Sequence, residues 1–520
     1  MILILILALV LILGLVFILG LVFILGLVLI LGLILGLSRG MEREARGRRF
    51  RLLRNTRHPT QIVAKCPHAS EGIFNMGFIQ GEGRTQGTLF PVILDELIPQ
   101  DHVCRVIDAF VDRLDMAGLG FERADPADTG RPGYDPRDLL KLYIYGYLQQ
   151  VRSSRRLENE CRRNVEVMWL LHRLVPDHKS IAEFRRMHSE AVTQVGAELI
   201  RFARSLGLIR GEWVAIDGSK FRAVSSVGSV REREAVKRYL ESVESADQEE
   251  ELVVEPSKIA EALKKLQEHK EPEAHFMRTT TGAKVPAYNV QAAVDSEHAL
   301  IVAQQVTTEA TDNRSLLPMA EAAQAAVGAP GQELHVVADA GYSNGQQAEA
   351  CEAKGILPHV PANRGVNNHG DGKLFDRSAF VYQPEPDTFL CPAGQTLKRE
   401  QISRKDRSVY YAGRPEICGT CPLKSRCTLG AQRMVSRHWH DEALQRMQQR
   451  ATPEAMRLRR STVEHPFATL KYHIFGHPRF LLRGRQGAQA EMSLAVIVYN
   501  LKRMMNVLGR PQLTAALAPA

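Results

Sequence analysis

Between residues 211 and 361 the order of apolar segments leaves few folds open. EWVAID (212–217) is a short apolar strand, and AYNVQAAVD and ALIVAQQVT flank the turn Ser296-Glu297-His298, which predicts a hairpin. A helix over about 314–327 follows, then the strand ELHVVAD (333–339), the helix QQAEACEAKG (346–355) closed by Gly355, and the strand ILPHV (356–360). Strand, hairpin, helix, strand, helix, strand excludes a pure bundle or sandwich and predicts an α/β fold with a mixed sheet. Residues 230–270 are charged and helical without a strict heptad, so they predict an exposed helical insertion rather than a coiled coil.

The flanks differ in character. Residues 76–210 read as helical: DHVCRVIDAFVDRLD carries apolar positions at helical spacing, and Asp135-Pro136 is an N-cap followed by proline at the first helical position. Arg152, Arg155, Arg156, Arg162 and Arg163 cluster on the next short helix, and Arg185 and Arg186 on PDHKSIAEFRRMH, where Ser180 and Glu183 fit a capping box. Short arginine-studded helices joined by tight turns suit helix-turn-helix contact with DNA; the alternative is a plain bundle with solvated arginines. Residues 362–440 are irregular and rich in Gly, Pro and Arg, 441–509 are helical, and 510–520 form a tail.

Charge sharpens this division. The chain is 45% hydrophobic and 24% charged, which excludes disordered, collagen-like and polytopic membrane classes. Its net charge is +9, but residues 1–75 hold nine Lys and Arg against three Asp and Glu, leaving the rest close to neutral. Residues 1–37 lack any charge and repeat LVLILG and LVFILG, and eight arginines follow in 38–57. Read literally, this is a membrane anchor with a basic flank. A strict six-residue period equally fits translated repetitive DNA ahead of a start at Met76, and that reading is preferred; a secretory signal fits less well. Four of the eight cysteines are scattered singly, which suggests a reducing cytoplasm.

Two carboxylates end predicted strands: Asp217 in VAIDGSKF and Asp339 in VVADAGYS, each followed closely by glycine. A third, Glu464, lies on a helix in RRSTVEHPFATLKY. Acids at the carboxyl ends of strands lie where α/β sheets do chemistry, although a strand-ending Asp is more often a turn residue or cap. Three converging carboxylates need a cation, and hard oxygens select Mg²⁺ or Mn²⁺. At 100° per residue, Arg457, Arg460, Glu464 and Lys471 share one helical face, so cations could clamp phosphates beside a metal-binding Glu; the alternative is a surface salt bridge. Asp312, in EATDNRS, is the rival acid. His438, His440, His465 and His473 carry no assignment, Trp213 is expected in the core, and Trp439 fits either core or base stacking.

Cys418-x2-Cys421-x5-Cys427, with Cys391 upstream in LCPAGQTL, suits a structural Zn²⁺. An iron–sulfur cluster or free thiols are the alternatives.

Arg460, Glu464 and Lys471 in R-x3-E-x6-K spacing resemble the Y-x2-R-x3-E-x6-K signature of DDE-type insertion-sequence transposases, with Arg457 at the Tyr position. VAIDGSKF and VVADAGYS look like that family's two Asp motifs. TLFPVILDELIPQDHVCRVIDAFVDRLD and DHKSIAEFRRMH look like the N-terminal region of a bacterial subgroup. The resemblance covers about 76–505. It implies an RNase H-like core (211–361 and 441–509) interrupted by a Cys-containing insertion (362–440), with an all-helical DNA-binding region (76–210). It implies that Asp217, Asp339 and Glu464 bind two metal ions, and that Arg460 and Lys471 contact phosphates near the element's end. Lys220 and Arg222 would touch the backbone, and Arg155, Arg156, Arg185 and Arg186 would contact DNA. The expected function is metal-dependent cleavage and strand transfer at terminal inverted repeats by a cytoplasmic, nucleoid-associated homo-oligomer. The alternative is an inactive remnant acting only as a DNA-binding protein. A membrane partner is expected only if residues 1–37 are real.

Overall fold

The computed structural model describes residues 93–124, 133–248, 256–279, 282–328, 332–362, 374–404 and 407–518. All lie within the compact unit Leu89–Ala520. The apolar repeat, the arginine-rich stretch, Cys66 and Met76 fall outside the described residues. Among these, no helix is long and apolar enough to cross a membrane.

Six helices come first: α1 (Val103–Asp112), α2 (Pro136–Leu148), α3 (Ser154–Arg163), α4 (Val165–Leu170), α5 (His178–Met187) and α6 (Ser189–Ser205). Their starts follow local chemistry. The Asp135 carboxylate accepts from the Arg137 N–H at 2.8 Å with Pro136 behind it, and Asp177 accepts from the N–H groups of Lys179 and Ser180. Asp177, rather than Ser180, is therefore the cap, one turn earlier than the capping-box pattern suggests.

Strand β1 (Trp213–Arg222) opens the sheet. Helices α7 (Val227–Gln248) and α8 (Pro256–Gln267) form the charged insertion, and β2 (His275–Arg278), β3 (Lys284–Asp295) and β4 (Ile301–Thr307) follow. Then come α9 (Leu316–Val327), β5 (Leu334–Val337), α10 (Gly345–Glu352) and β6 (Ile356–His359). The order is β2-β3-β1-β5-β6, with β4 also on β3. β1 is antiparallel to β3 and parallel to β5, and β5 is parallel to β6. The predicted mixed sheet is present, hairpin included.

A second sheet of five antiparallel strands interrupts this core: β7 (Val381–Gln383), β8 (Thr388–Leu390), β9 (Thr396–Ser403), β10 (Ser408–Ala412) and β11 (Met434–His438). Short helices α11 (Pro415–Gly419) and α12 (Lys424–Cys427) lie between β10 and β11. The segment expected to be irregular is thus a small β-module with its own core of Phe380, Phe389, Leu397, Tyr411 and Val435. Four of its five strands have five residues or fewer, too few to show a period, and β9 is polar and mostly exposed.

The chain returns to helix with α13 (Asp441–Arg450), α14 (Pro453–Ala468), a π-helical turn (Thr469–Ile474), α15 (Gly484–Leu508) and α16 (Arg510–Leu517). Helix α15 is buried on nearly all sides from Ala488 to Leu501, as expected of a helix inside a core. It packs on α6 and α2 and seals the β4 edge. The Asn500 amide exchanges two hydrogen bonds with the Ile301 backbone, both 2.9 Å, and the Gln489 amide oxygen accepts from the Val306 N–H. The edge groups that would otherwise invite another strand are satisfied.

One continuous hydrophobic cluster runs from Ile98 in the helical region through β3 to Leu517. At its centre Glu491 is fully buried and takes Arg152 at 3.1 Å, the Tyr147 hydroxyl at 3.3 Å and the N–H groups of Leu481 and Leu482. The helical region and the sheet therefore share one core.

Candidate active site

Asp217 sits in the middle of β1, not at its end. The strand continues because Gly218 through Arg222 keep pairing with β3 as far as Ala287. It is nevertheless the first position beyond the parallel β1–β5 pairing but one, which covers Trp213 to Ala215. Asp339 lies two residues past Val337, the last residue of β5, and caps a 3-10 turn by accepting from the Gly341 N–H at 2.8 Å. Both acids therefore mark the carboxyl end of one parallel strand pair.

Arg459 of α14 joins them. Its Nη2 donates to Asp217 Oδ1 at 3.0 Å and lies 3.7 Å from Asp339 Oδ2. Its Nε is buried with no hydrogen-bond partner among the described residues. Burial pushes the Asp217 carboxyl up to about 6; Arg459 opposes the push and the Asp339 carboxylate adds to it.

The alternate residues of β1 turn toward a third acid. Asp312 accepts from the Asn289 and Gln291 amides at 2.7 and 2.6 Å, and its Oδ1 lies 3.5 Å from Lys220 Nζ. A Cβ at position 218 would come within 2.5 Å of both Asp312 Oδ1 and Gln291 Nε2, so this close approach requires Gly218. Burial lowers Lys220, while Asp312, then Asp217 and Asp339, hold it up. The rival acid thus sits in the same constellation, brought there by the loop after β4.

Helix α14 begins with Thr452 accepting from the Ala455 N–H and Pro453 at its first position. It buries Ala455, Val463 and Phe467. Arg459 stands on that apolar stripe, four residues before Val463, and so reaches the sheet. Sequence reasoning missed it; its place in the stripe was the available signal. Glu464 lies about 140° away around the helix. It is exposed, and no hydrogen bond or ion pair reaches it among the described residues. The structure brings Asp217 and Asp339 together and leaves Glu464 outside: these three do not form a cluster with oxygens all within 4.8 Å.

The expected single face of Arg457, Arg460, Glu464 and Lys471 is corrected at its last member. The π turn Thr469–Ile474 breaks the 100° step between Glu464 and Lys471. Arg457 pairs with Glu454 at 3.0 Å, and Arg460 is exposed. Lys471 is half-buried, with its ammonium 5.8 Å from the centre of the Phe221 ring. Burial lowers it, opposed by the negative charge of Asp217. Two lysines and one arginine therefore converge on the acids from β1, the π turn and α14.

Residues 214–501 match the family described as "Transposase DDE domain". The chain belongs to this family. Residues 92–187 match a second, described as "Transposase domain (DUF772)". The family implies that the mixed sheet is an RNase H-like core, and the protein is a DNA transposase. No curated protein matches it. A solved structure, the piggyBac transposase synaptic complex with hairpin DNA, is similar at a TM-score of 0.29 and 8% identity, over 80% of this chain and 77% of that one.

In the transposase's helical region, Arg155 and Arg156 are exposed on α3, and Arg186 is exposed on α5, 3.7 Å from Glu183. Arg185 is not available to DNA. It is 5% exposed, donates to the Tyr147 hydroxyl and the Arg152 carbonyl, and lies 4.0 Å from Glu491. The amphipathic phase of α5 turns this arginine inward and its neighbour outward. Trp213, expected in the core, is half-buried against its edge and stacked on His335, and Trp439 is exposed.

One compact set of metal-ligand types exists among the described residues: His102, Cys104 and Glu166. His102 Nδ1 accepts from the Cys104 N–H, which makes His102 the cap of α1. Burial pushes the Cys104 thiol up to about 12, so it stays protonated and is a poor ligand. Cys391, Cys418, Cys421 and Cys427 lie apart from the acids, around a cavity of the β-module.

Proposed function

We propose that this transposase binds the terminal inverted repeats of its own element and cuts and rejoins DNA there, with Asp217, Asp339 and Glu464 holding Mg²⁺ or Mn²⁺. The observation that carries the reading is the bridging of Asp217 and Asp339 by Arg459 at the carboxyl end of β1 and β5. The donor set fits such an ion. It consists of hard carboxylate oxygens, one of them strongly desolvated, whose mutual repulsion a cation would relieve. When bound, the ions would activate the attacking water or 3′-hydroxyl and stabilise the leaving oxygen.

The chain's own residues do the rest. Arg459 keeps two carboxylates side by side that would otherwise repel. Its Nε is buried without a partner among the described residues, so the guanidinium meets the acids through Nη2 alone. Lys471, within electrostatic reach of Asp217, and Arg460, exposed on α14, would neutralise the scissile strand. Glu464, on the exposed face of α14, would turn onto the site as DNA seats. Arg155, Arg156 and Arg186 would hold backbone phosphates, which position the duplex without reading its sequence. Joining two ends requires both to be held at once, so the working form would be at least a dimer acting on nucleoid DNA.

The test is direct. The chain, incubated with Mg²⁺ and DNA carrying the inverted repeats that bracket its gene, should nick the repeat ends and join them to a target. Specific binding without cleavage in Mg²⁺ or Mn²⁺ would overturn the catalytic reading and leave a DNA-binding protein.

A further inference from the structure

We infer that Cys391, Cys418, Cys421 and Cys427 bind one structural Zn²⁺ that closes the β-module of residues 374–438, independently of the acids on the large sheet. All four cysteines are free and partly exposed, and all four line a single small cavity with Gly413 and Arg433 among its walls. They come from two separate loops. Cys391 follows β8 in a tight turn: its N–H donates to the Gln395 carbonyl at 2.8 Å, and the Gly394 N–H donates to the Cys391 carbonyl at 2.8 Å. The Gln395 N–H points at the sulfur itself, 3.3 Å from Cys391 Sγ.

The second loop presents three sulfurs. Cys418 is the last residue but one of α11, Cys421 follows the helix, and Cys427 ends α12. The Cys421 N–H donates to the Cys418 carbonyl and the Lys424 N–H to the Cys421 carbonyl, so a Cys-x-x-Cys pair is folded into consecutive turns. Gly413 approaches Cys418 so closely that a Cβ there would lie 2.8 Å from Sγ. The backbone is thus shaped to admit the sulfur.

The chemistry favours zinc. Four thiolates around Zn²⁺ leave a net negative charge, and Arg414, Lys424 and Arg433 line the same cavity. The module's own core is five residues, with Cys391 and Cys427 packed against it. A core that small rarely holds a fold without a disulfide or a metal, and no disulfide joins these cysteines. No three of the four sulfurs fall within 4.8 Å of one another, so the ion would draw the sulfurs of both loops inward.

The experiment is metal analysis of the full chain purified without added chelator. The expected result is about one zinc per chain, released in step with thiol titration by a mercurial reagent. Cys391→Ser and Cys421→Ser should each lose most of the zinc, whereas Asp217→Asn should retain it. Should the serine variants fail to fold, Co²⁺ exchanged into the unaltered chain should give the thiolate-to-cobalt charge-transfer absorption of a tetrahedral site. Less than about a tenth of a zinc per chain, iron with cluster absorption, or a Cys418–Cys421 disulfide would overturn the inference.

Discussion

Arg459 and Asp217 are 242 positions apart in the chain and meet at 3.0 Å. The contact ties a helix near the C-terminal end to the central strand of the sheet. It places the arginine between two carboxylates that share no other cation this close. If that placement serves the cut, Arg459→Ala should lower strand cleavage roughly 100-fold through misplaced acids. Affinity for repeat DNA should change only a few-fold. Gel-based cleavage and binding assays on one preparation separate the two effects. Full cleavage by the variant would reduce Arg459 to a packing residue.

The exposed Glu464 allows an unusually clean substitution. It has no partner among the described residues, so Glu464→Gln should leave stability within about 0.5 kcal/mol of the parent. Cleavage should nevertheless disappear, as it should for Asp217→Asn and Asp339→Asn, while DNA binding survives in all three. Robust Mg²⁺-dependent cleavage by Glu464→Gln would remove it from the site and make Asp312 the acid to substitute next.

The sheet was readable because most of its strands lie in apolar runs set off by turns and helices, and the two Asp motifs were readable because each closes such a run. Arg459 was not, because an arginine inside an apolar stripe looks like a flaw in a helix until the sheet it faces is known. Lys471 was misplaced in phase, since a π turn leaves no clear mark in TLKYHI. Arg185 and Arg186 show a related limit: the phase of α5 puts Arg185 on the buried face with Ile181 and Phe184, but the buried Glu491 that makes an arginine tolerable there is over 300 residues away in sequence.

That buried carboxylate yields its own prediction. Glu491 is fully buried between Arg152 and Arg185. Removing its charge strands two guanidiniums in the core. Glu491→Gln should therefore destabilise the fold by about 3–5 kcal/mol in urea titration. Arg185→Ala should likewise lower stability. By contrast, Arg155→Ala and Arg156→Ala should spare stability and each reduce the slope of log affinity against log salt by about one. A salt-slope change with Arg185→Ala and none with Arg155→Ala would reverse the assignment of DNA-facing arginines.

Acid sensitivity should be concentrated at the buried edge of the sheet. His359 is 6% exposed, its Nδ1 faces the Arg450 carbonyl at 2.7 Å, and its Nε2 faces His335 Nδ1 at 3.0 Å. The carbonyl requires an Nδ1–H donor, so Nε2 must accept, and both rings are satisfied when neutral. Burial lowers His359 to about 4, with the neighbouring His335 and Arg450 charges acting in the same direction. The unfolded chain titrates this ring near 6.5, so between about 6.5 and 4 it binds more protons than the folded chain does. Stability is then complete above about 6.5 and is lost as pH falls toward 4, by on the order of 3 kcal/mol. Urea titrations at pH 7 and pH 4.5 should show this loss in the parent and much less of it in His359→Gln. An equal loss in both would place the acid sensitivity elsewhere, with the carboxylates rather than this pair.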